Sequence, residues 1–236
     1  MLGKSQVDPK TTYIPKLKNS SIKSFPLKEG VYDTTLKLTN NESWPITVSV
    51  PKIVGDEKVP LIIALHWAGR QNTYKEFGNC LAFPGLDALN GIIVVPSSKQ
   101  GNWLLPENEQ RIIDLVRKAI KHWPVAKDKV LITGYSNGGI ASWQYAIKYP
   151  RLFSVGIAMA GKYKKARLKI PMYVIHSKGD ELFSFDDIQK TVVVSKNLGS
   201  SIELTIINEL SHYVACSYMN VLRAKAIEIK GIFSKI

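Results

Sequence analysis

Short runs of apolar residues recur along the chain from residue 61 onward and give the clearest structural signal in the sequence. They lie at residues 61–65, 91–95, 130–132, 153–158, 172–175 and 202–207. Most are apolar throughout, as strands buried on both faces of a parallel sheet should be. Two earlier segments, residues 31–38 and 46–50, instead alternate between apolar and polar positions. That alternation predicts two antiparallel, half-exposed strands.

Four segments between or after these runs have the spacing of amphipathic helices. In residues 107–122, for example, Ile112, Ile113 and Val116 recur at helical spacing. The other three segments are residues 138–148, 185–197 and 213–233. Strands that alternate with helices predict an α/β fold, a mostly parallel sheet with helices on both faces. We expect eight strands, the first two forming an antiparallel edge.

Residues 1–28 differ from the rest of the chain. They are rich in Lys, Ser, Thr and Pro and have little apolar periodicity, which predicts a flexible or surface-associated leader. The chain has 236 residues, a length that one α/β domain readily uses. Without an internal repeat or a low-complexity linker, residues 29–236 are expected to form that single domain.

The net charge of +13 raises the possibility of a nucleic-acid partner. However, the basic residues are spread along the whole chain, and no known nucleic-acid-binding module accompanies them. We therefore expect a solvated basic surface and no nucleic-acid partner, with an anionic polymer or membrane surface as the alternative. The sequence indicates no oligomeric state.

Compartment and cysteine chemistry are only weakly constrained. No apolar run reaches the roughly 18 residues that a membrane span needs, and no signal-type apolar segment follows the N-terminus. A cytoplasmic protein and an exported one whose signal was removed both fit.

Cys80 and Cys216 allow at most one disulfide and lack metal-ligand spacing. We expect two buried free thiols.

The candidate chemistry begins at Gly134-Tyr135-Ser136-Asn137-Gly138, between an apolar run and a helical segment. Gly-x-Ser-x-Gly in that context is typical of a nucleophile elbow, in which a strand turns sharply into a helix and exposes the serine hydroxyl. Glycines suit both flanking positions because side chains there would collide where strand and helix crowd together. Ser136 is the predicted nucleophile.

A serine hydroxyl becomes a good nucleophile only when a base removes its proton and an acid orients that base. His122 lies on a lysine-rich helix, whereas His66 and His176 each end a buried strand. His212 follows the last strand and is the only histidine after both the elbow and a plausible acid-bearing loop. Because an elbow serine is followed by the acid and then by the base, His212 is the predicted base.

The acid should lie on the loop after residues 172–175. Asp180, directly after Gly179, is the predicted acid, and Glu181 is its alternative. Asp186 and Asp187 suit capping of the next helix better.

The oxyanion of an acyl-transfer intermediate needs two N–H donors. One is expected from Asn137, the residue after the nucleophile, and the other from the loop after the strand that ends at Leu65. That loop reads His66-Trp67-Ala68-Gly69.

Together these motifs resemble the α/β-hydrolase family over roughly residues 31–236. They are Leu65-His66-x-x-Gly69, the elbow with Gly139 after it, His176-x-x-x-Asp180 and a final His212. Among its branches the chain resembles the compact esterases related to polyhydroxybutyrate depolymerases, feruloyl esterases and the phospholipase/carboxylesterase group.

The resemblance implies roles for individual residues. Ser136, His212 and Asp180 match the family's nucleophile, base and acid, and Asn137 and Ala68 match its two oxyanion donors. The family usually has glycine where this chain has Trp67, so Trp67 is an alternative donor or an aromatic wall over the acyl site. His66 resembles the family's structural histidine.

A cap domain is not expected, because only the eight residues 162–169 separate Gly161 from the next strand. An open site would admit small, bulky or polymeric esters, and Trp67 and Trp103 are candidates to line it. We predict a lidless serine carboxylesterase that needs no cofactor and no metal. A serine peptidase or thioesterase on the same fold is the enzymatic alternative, and a non-catalytic hydrolase-fold protein that binds acidic polymers is the other.

Overall fold

A nine-stranded sheet dominates the computed structural model, which describes residues 13–37, 43–70 and 72–235. The strands are β1 Tyr13–Ser21, β2 Gly30–Lys37, β3 Ser43–Val50, β4 Val59–Leu65, β5 Ile92–Pro96, β6 Val125–Tyr135, β7 Val155–Met159, β8 Met172–Ser177 and β9 Ile202–Ile207. Their order in the sheet is β1-β2-β3-β5-β4-β6-β7-β8-β9. β3 runs antiparallel to both of its neighbours, and all other pairs are parallel. The predicted mostly parallel α/β sheet is confirmed, and all eight predicted strands are present.

The ninth strand lies in the segment predicted as a flexible leader. β1 pairs in parallel with β2, from Tyr13 opposite Val31 to Ser21 opposite Lys37. The following turn buries Ile22. This strand was not predicted, because backbone pairing at a sheet edge requires no apolar periodicity in the added strand. Residues 1–12, and Leu38 of the predicted second strand, lie outside the described residues.

Six α-helices accompany the sheet: α1 Thr73–Phe77, α2 Phe83–Leu86, α3 Pro106–His122, α4 Asn137–Lys148, α5 Phe185–Asn197 and α6 Met219–Phe233. The predictions for α3, α4 and α5 are confirmed. α6 begins six residues later than predicted, because Ala215–Tyr218 forms a separate 3₁₀ turn. The short helices between β4 and β5 were not predicted. No helix in the described part of the chain is long and apolar enough to cross a membrane.

Alternate residues of β4 face the two halves of the core. Leu61, Ile63 and Leu65 pack with the side chains of α3, α4 and α5, whereas Ile62 and Ala64 pack with those of α1, α2 and α6. The sheet is thus covered on both faces, as predicted. Residues 162–169 connect β7 towards β8 without a helix or a strand, so the described residues contain no cap domain.

Cys80 and Cys216 form a disulfide rather than two free thiols, with their Cα atoms 5.2 Å apart. The expectation of free thiols was wrong. The two residues are separated by 136 positions, and the sequence carries no sign that they meet in the fold. Only the packing of α6 against α2 and its neighbouring turns brings them together. The bridge ties the turn before α6 to the π-helical turn Gly78–Ala82.

Candidate active site

Ser136 lies between the end of β6 and the start of α4, with φ 54° and ψ −117°. A non-glycine residue in such a sparsely populated conformation costs on the order of 1–3 kcal/mol and persists only where the surroundings enforce it. Here the Ser136 N–H donates to Met159 O at 2.9 Å, and the Ser136 carbonyl accepts the first helical bond from Ile140 N at 2.9 Å. The sharp turn predicted for the elbow is present.

The glycines of the elbow are required by close packing of α4 on the sheet. A Cβ atom on Gly138 would lie 2.0 Å from the carbonyl oxygen of Leu65 in β4. A Cβ atom on Gly134 would lie 2.4 Å from the Gly138 backbone. Both neighbours are backbone atoms that cannot rotate away, so a side chain at either position would push the helix off the sheet and displace Ser136.

The carboxyl-terminal ends of β6, β8 and β9 bring Ser136, Asp180 and His212 together. His212 Nε2 lies 2.9 Å from Ser136 Oγ, and His212 Nδ1 lies 2.8 Å from Asp180 Oδ2. A carboxylate only accepts hydrogen bonds, so we assign the His212 proton to Nδ1, which leaves Nε2 to accept the serine proton. These two hydrogen bonds are the arrangement that a serine-histidine-aspartate triad requires.

The carboxylate of Asp180 is buried and held from two sides. Its Oδ1 accepts from the backbone N–H groups of Leu182 at 2.9 Å and Phe183 at 2.8 Å, which leaves Oδ2 facing the imidazole. His176 supports this loop, because its Nε2 donates to the Phe183 carbonyl at 2.8 Å. Burial lowers the pKa of His176, which favours the neutral ring.

Glu181, the alternative acid, has a different position. Its Oε2 accepts from the backbone N–H of His212 at 2.8 Å and not from the ring. Hydrogen bonds from the Ser211 hydroxyl and from the His212 amide lower the pKa of Glu181. Glu181 therefore anchors the loop that carries His212, and Asp180 is the residue at the imidazole. On the other side of that loop, Tyr135 donates its hydroxyl proton to the His212 carbonyl at 2.8 Å.

His66 organises the loop that carries the predicted oxyanion donors. Its Nε2 accepts from the backbone N–H of Ser98 at 3.1 Å, so the ring proton is on Nδ1, which donates to the Trp67 carbonyl at 2.5 Å. Burial lowers the pKa of His66 to about 4. Through both ring nitrogens, His66 thus connects this loop to the segment that follows β5.

Trp103 does not line the site, which corrects that prediction. Its side chain is 0% exposed and donates through Nε1 to the His66 carbonyl at 2.9 Å. Its backbone N–H donates to Asn137 Oδ1 at 2.8 Å, and its carbonyl accepts from the Tyr145 hydroxyl. An indole N–H with a nearby carbonyl is satisfied inside the core. From this buried position, Trp103 connects the loop at His66 to Asn137, the two segments that carry the predicted oxyanion donors.

A cleft of about 540 Å³ opens over Ser136 and His212, a volume within the usual range for small-molecule sites. Trp67 forms part of its wall, and its ring meets Phe77 and Tyr135 in edge-on contacts. Ala68 also lines the cleft. Tyr213, which is 73% exposed, lines the cleft as well. Sequence reasoning did not select Tyr213, although its position directly after His212 was a usable signal.

Two further residues of the cleft carried no sequence signal. Glu76 on α1 and Cys216 of the disulfide both line it, and both reach it only through tertiary packing. No group of three or more His, Cys, Asp or Glu side chains that could hold a metal lies among the described residues.

Solved structures of similar fold are numerous. The structure of a thermostable esterase matches with a TM-score of 0.71 and 21% identity over 85% of this chain, and this chain spans 62% of that esterase's length. FphF, a fluorophosphonate-binding serine hydrolase of Staphylococcus aureus, matches with a TM-score of 0.69 and 10% identity over 84% of this chain and 98% of that one. Est2, an esterase of Thermogutta terrifontis, matches with a TM-score of 0.63 and 14% identity over 83% and 90% of the two chains.

These similarities establish the α/β-hydrolase fold, which confirms the resemblance at the level of the fold. The sequence matches no protein-family model and no curated protein.

Proposed function

We propose that this protein is a serine esterase that hydrolyses carboxylic esters through an acyl-enzyme intermediate. The observation that carries the proposal is the chain of hydrogen bonds from Ser136 through His212 to Asp180. Ser136 and His212 face a cleft with a largely apolar lining. Several structures of the same fold are esterases or serine hydrolases, which supports the same class of reaction here.

In the acylation half-reaction, Ser136 Oγ attacks the ester carbonyl carbon while His212 Nε2 accepts the hydroxyl proton. The carbonyl oxygen becomes an oxyanion. When this intermediate collapses, the bond to the alkoxy oxygen breaks and His212 returns the proton to that oxygen, so that the alcohol leaves. Asp180 keeps the imidazole oriented and stabilises the imidazolium that forms.

The backbone N–H groups of Asn137 and Ala68 are the proposed oxyanion donors. The Trp67 carbonyl is occupied by His66 Nδ1. In a trans peptide the carbonyl and the following N–H point in opposite directions, so the Ala68 N–H faces away from His66. This arrangement favours Ala68 over Trp67 as the second donor. In comparable sites, loss of one donor raises the barrier by about 2.7–4 kcal/mol.

In the deacylation half-reaction, water takes the place of the alcohol. His212 removes a proton from that water, the hydroxide attacks the acyl carbon, and the bond to Ser136 breaks as the serine recovers its proton. The products are a carboxylic acid and the free enzyme. The described residues contain no cap over the cleft, so bulky or polymeric esters can reach Ser136.

Replacement of Ser136 by alanine tests the proposal. Hydrolysis of 4-nitrophenyl acetate and butyrate by the Ser136→Ala variant should fall by about 10⁴-fold or more, because the chemistry has no second nucleophile. Ser184→Ala is the matched control, since this serine is exposed at the start of α5, outside the cleft, and it should keep full activity. Wild-type turnover in a folded Ser136→Ala variant would refute the mechanism.

A panel of thioesters and peptides would separate esterase from thioesterase and peptidase activity.

A further inference from the structure

The cleft contains a carboxylate that the proposed mechanism does not use. Glu76 lines the same cleft as Ser136 and Trp67. Among the described residues, none forms an ion pair or a side-chain hydrogen bond with Glu76, whereas its neighbour Lys75 is paired with Asp33 at 2.7 Å. The Glu76 carboxylate is thus available to a ligand.

Aromatic rings share this cleft with the carboxylate. Trp67 is held in place by Phe77, with ring centroids 5.6 Å apart, and by Tyr135, at 6.2 Å. Tyr213 adds an exposed ring on the same cleft. The face of an aromatic ring attracts cations, and indole does so most strongly. A carboxylate combined with indole and phenol rings is a setting that suits an alkylammonium group.

The negative charge of Glu76 is opposite in sign to the net charge of the whole protein. The chain has 32 Lys and Arg against 19 Asp and Glu, yet none of the cleft-lining residues in the described part is Lys or Arg, and Glu76 is the only acidic one. A nearby carboxylate, Glu181, adds negative charge beside His212. The formal charge of the cleft lining is therefore negative, opposite in sign to the net charge of the chain.

We propose that the cleft selects esters that carry a positively charged alkylammonium group, in either the alcohol or the acyl part. The cation contacts the Glu76 carboxylate and an aromatic face while the ester carbonyl lies at Ser136. This inference rests on the proposed esterase function and specifies its substrate class.

Pairs of esters that differ only in charge provide the test. Acetylcholine and 3,3-dimethylbutyl acetate have the same shape, with a quaternary nitrogen in one and a quaternary carbon in the other, and place the charge in the alcohol. The 4-nitrophenyl esters of 4-(trimethylammonio)butyrate and 5,5-dimethylhexanoate place it in the acyl part. The measured quantity is the ratio of kcat/KM for the cationic ester to that for the neutral ester.

In the wild-type protein the ratio should be about five for at least one pair, which is the size of effect expected for a partly exposed charge contact. The Glu76→Gln variant should bring that ratio back to about one, and Glu76→Lys should bring it below one. The matched control is Glu57→Gln. It removes the same charge from an exposed residue just before β4, at the amino-terminal end of that strand and outside the cleft lining, and it should leave the ratio at the wild-type value.

The inference is overturned if Glu76→Gln leaves both ratios unchanged, or if Glu57→Gln lowers them equally. Failure of the proposed function looks different. In that case the wild-type protein hydrolyses neither member of a pair, and the substrate inference falls with it. Hydrolysis of the neutral esters with ratios that do not respond to Glu76 would leave the esterase standing and exclude the cationic substrate class.

Discussion

At the scale of single residues, the two buried histidines near the site differ from His212 in what they do. His212 hydrogen-bonds Ser136, whereas the ring nitrogens of His66 and His176 hydrogen-bond other groups. Each uses a ring nitrogen to hold a carbonyl, of Trp67 and Phe183 respectively, in a loop that shapes the site. Both must be neutral to remain buried without cost, and burial lowers the pKa of each.

This neutrality predicts how stability depends on pH. Unfolded His66 takes up a proton near its ordinary pKa of 6.5, whereas the folded protein resists protonation down to about 4. Between these values the unfolded state binds more protons, so the free energy of unfolding falls as the pH decreases from 6.5 to 4. The shift corresponds to a loss on the order of 3 kcal/mol, and His176 acts in the same direction. Urea unfolding at stepped pH values measures it.

Replacement of His66 isolates its share of that slope. The His66→Gln variant should be less stable than the wild type at pH 7 but should lose less stability between pH 6.5 and 4. His122→Gln is the matched control, because His122 is exposed at the end of α3 and its replacement should leave the slope unchanged. Equal slopes for the wild type and His66→Gln would contradict the assignment of a buried neutral imidazole.

The three residues of the predicted triad could be selected from the sequence because the order of nucleophile, acid and base along the chain is restrictive. The nucleophile must lie between glycines, the acid must follow the next-to-last strand, and the base must follow the last strand. The residues chosen by this rule, Ser136, Asp180 and His212, lie within hydrogen-bond distance of one another in sequence Ser136–His212–Asp180. Trp103 was misplaced because a tryptophan near a strand end can face either the core or the cleft. Its indole N–H is satisfied by the His66 carbonyl, a partner that only the folded chain reveals.

At the scale of elements, the Cys80–Cys216 disulfide links two walls of the cleft. Cys216 lies four positions after His212, in the turn that also carries Val214 and Ala215 along the cleft. On the other side, Cys80 belongs to the turn that follows α1, the helix of Glu76. The bridge thus fixes the wall that follows His212 against the wall that carries Glu76.

Loss of this bridge should affect both stability and catalysis. A Cys80→Ser/Cys216→Ser double variant should lose about 2–5 kcal/mol of the free energy of unfolding, because the disulfide closes a long loop in the unfolded chain. The freed turn should also raise KM for neutral esters more than it lowers kcat, since Ser136, His212 and Asp180 are held by other contacts. Thermal unfolding and steady-state kinetics measure the two effects.

The matched control for the double variant is chemical. A phosphine reductant should impair the wild-type protein in the same way and leave the double variant unaffected. If the reductant acts equally on both proteins, the effect does not pass through this disulfide. Because disulfides persist mainly in oxidising compartments, such a dependence would also favour the exported alternative over the cytoplasmic one.

Elements were predictable where burial determines the composition. The strands of the sheet centre, such as β4 and β5, are buried almost throughout and are apolar for that reason. β1 left no such signal, because it joins the sheet at its edge and contains two lysines and a proline. The late start of α6 was also invisible, since residues 213–218 have helical spacing but form the cleft wall and the bridged turn instead.

At the scale of the whole molecule, the excess positive charge is unevenly distributed. Residues 162–169 contain five basic and no acidic side chains, and they cross the face of the sheet that α4 covers. Tyr163 stacks on Trp143 of α4 with ring centroids 4.9 Å apart, and Trp143 Nε1 donates to the Lys164 carbonyl at 3.0 Å. These buried contacts hold the segment in place while its lysines face solvent. On the opposite face, residues 73–90 contain one basic and two acidic side chains.

This asymmetry predicts which face directs adsorption to an anionic surface. A Lys162→Glu/Lys165→Glu variant should elute from a cation exchanger at clearly lower salt than a Lys230→Glu/Lys235→Glu variant, although both change the net charge by the same amount. Retention depends on the number of charges that meet the surface together. Lys230 lies in the last turn of α6 and Lys235 two residues after that helix, on the other side of the sheet. Equal elution of the two variants would mean that the protein adsorbs through its total charge. A larger shift for the first pair would assign the anion-facing side to α3–α5, and a similar shift on immobilised heparin would extend that assignment to anionic polymers.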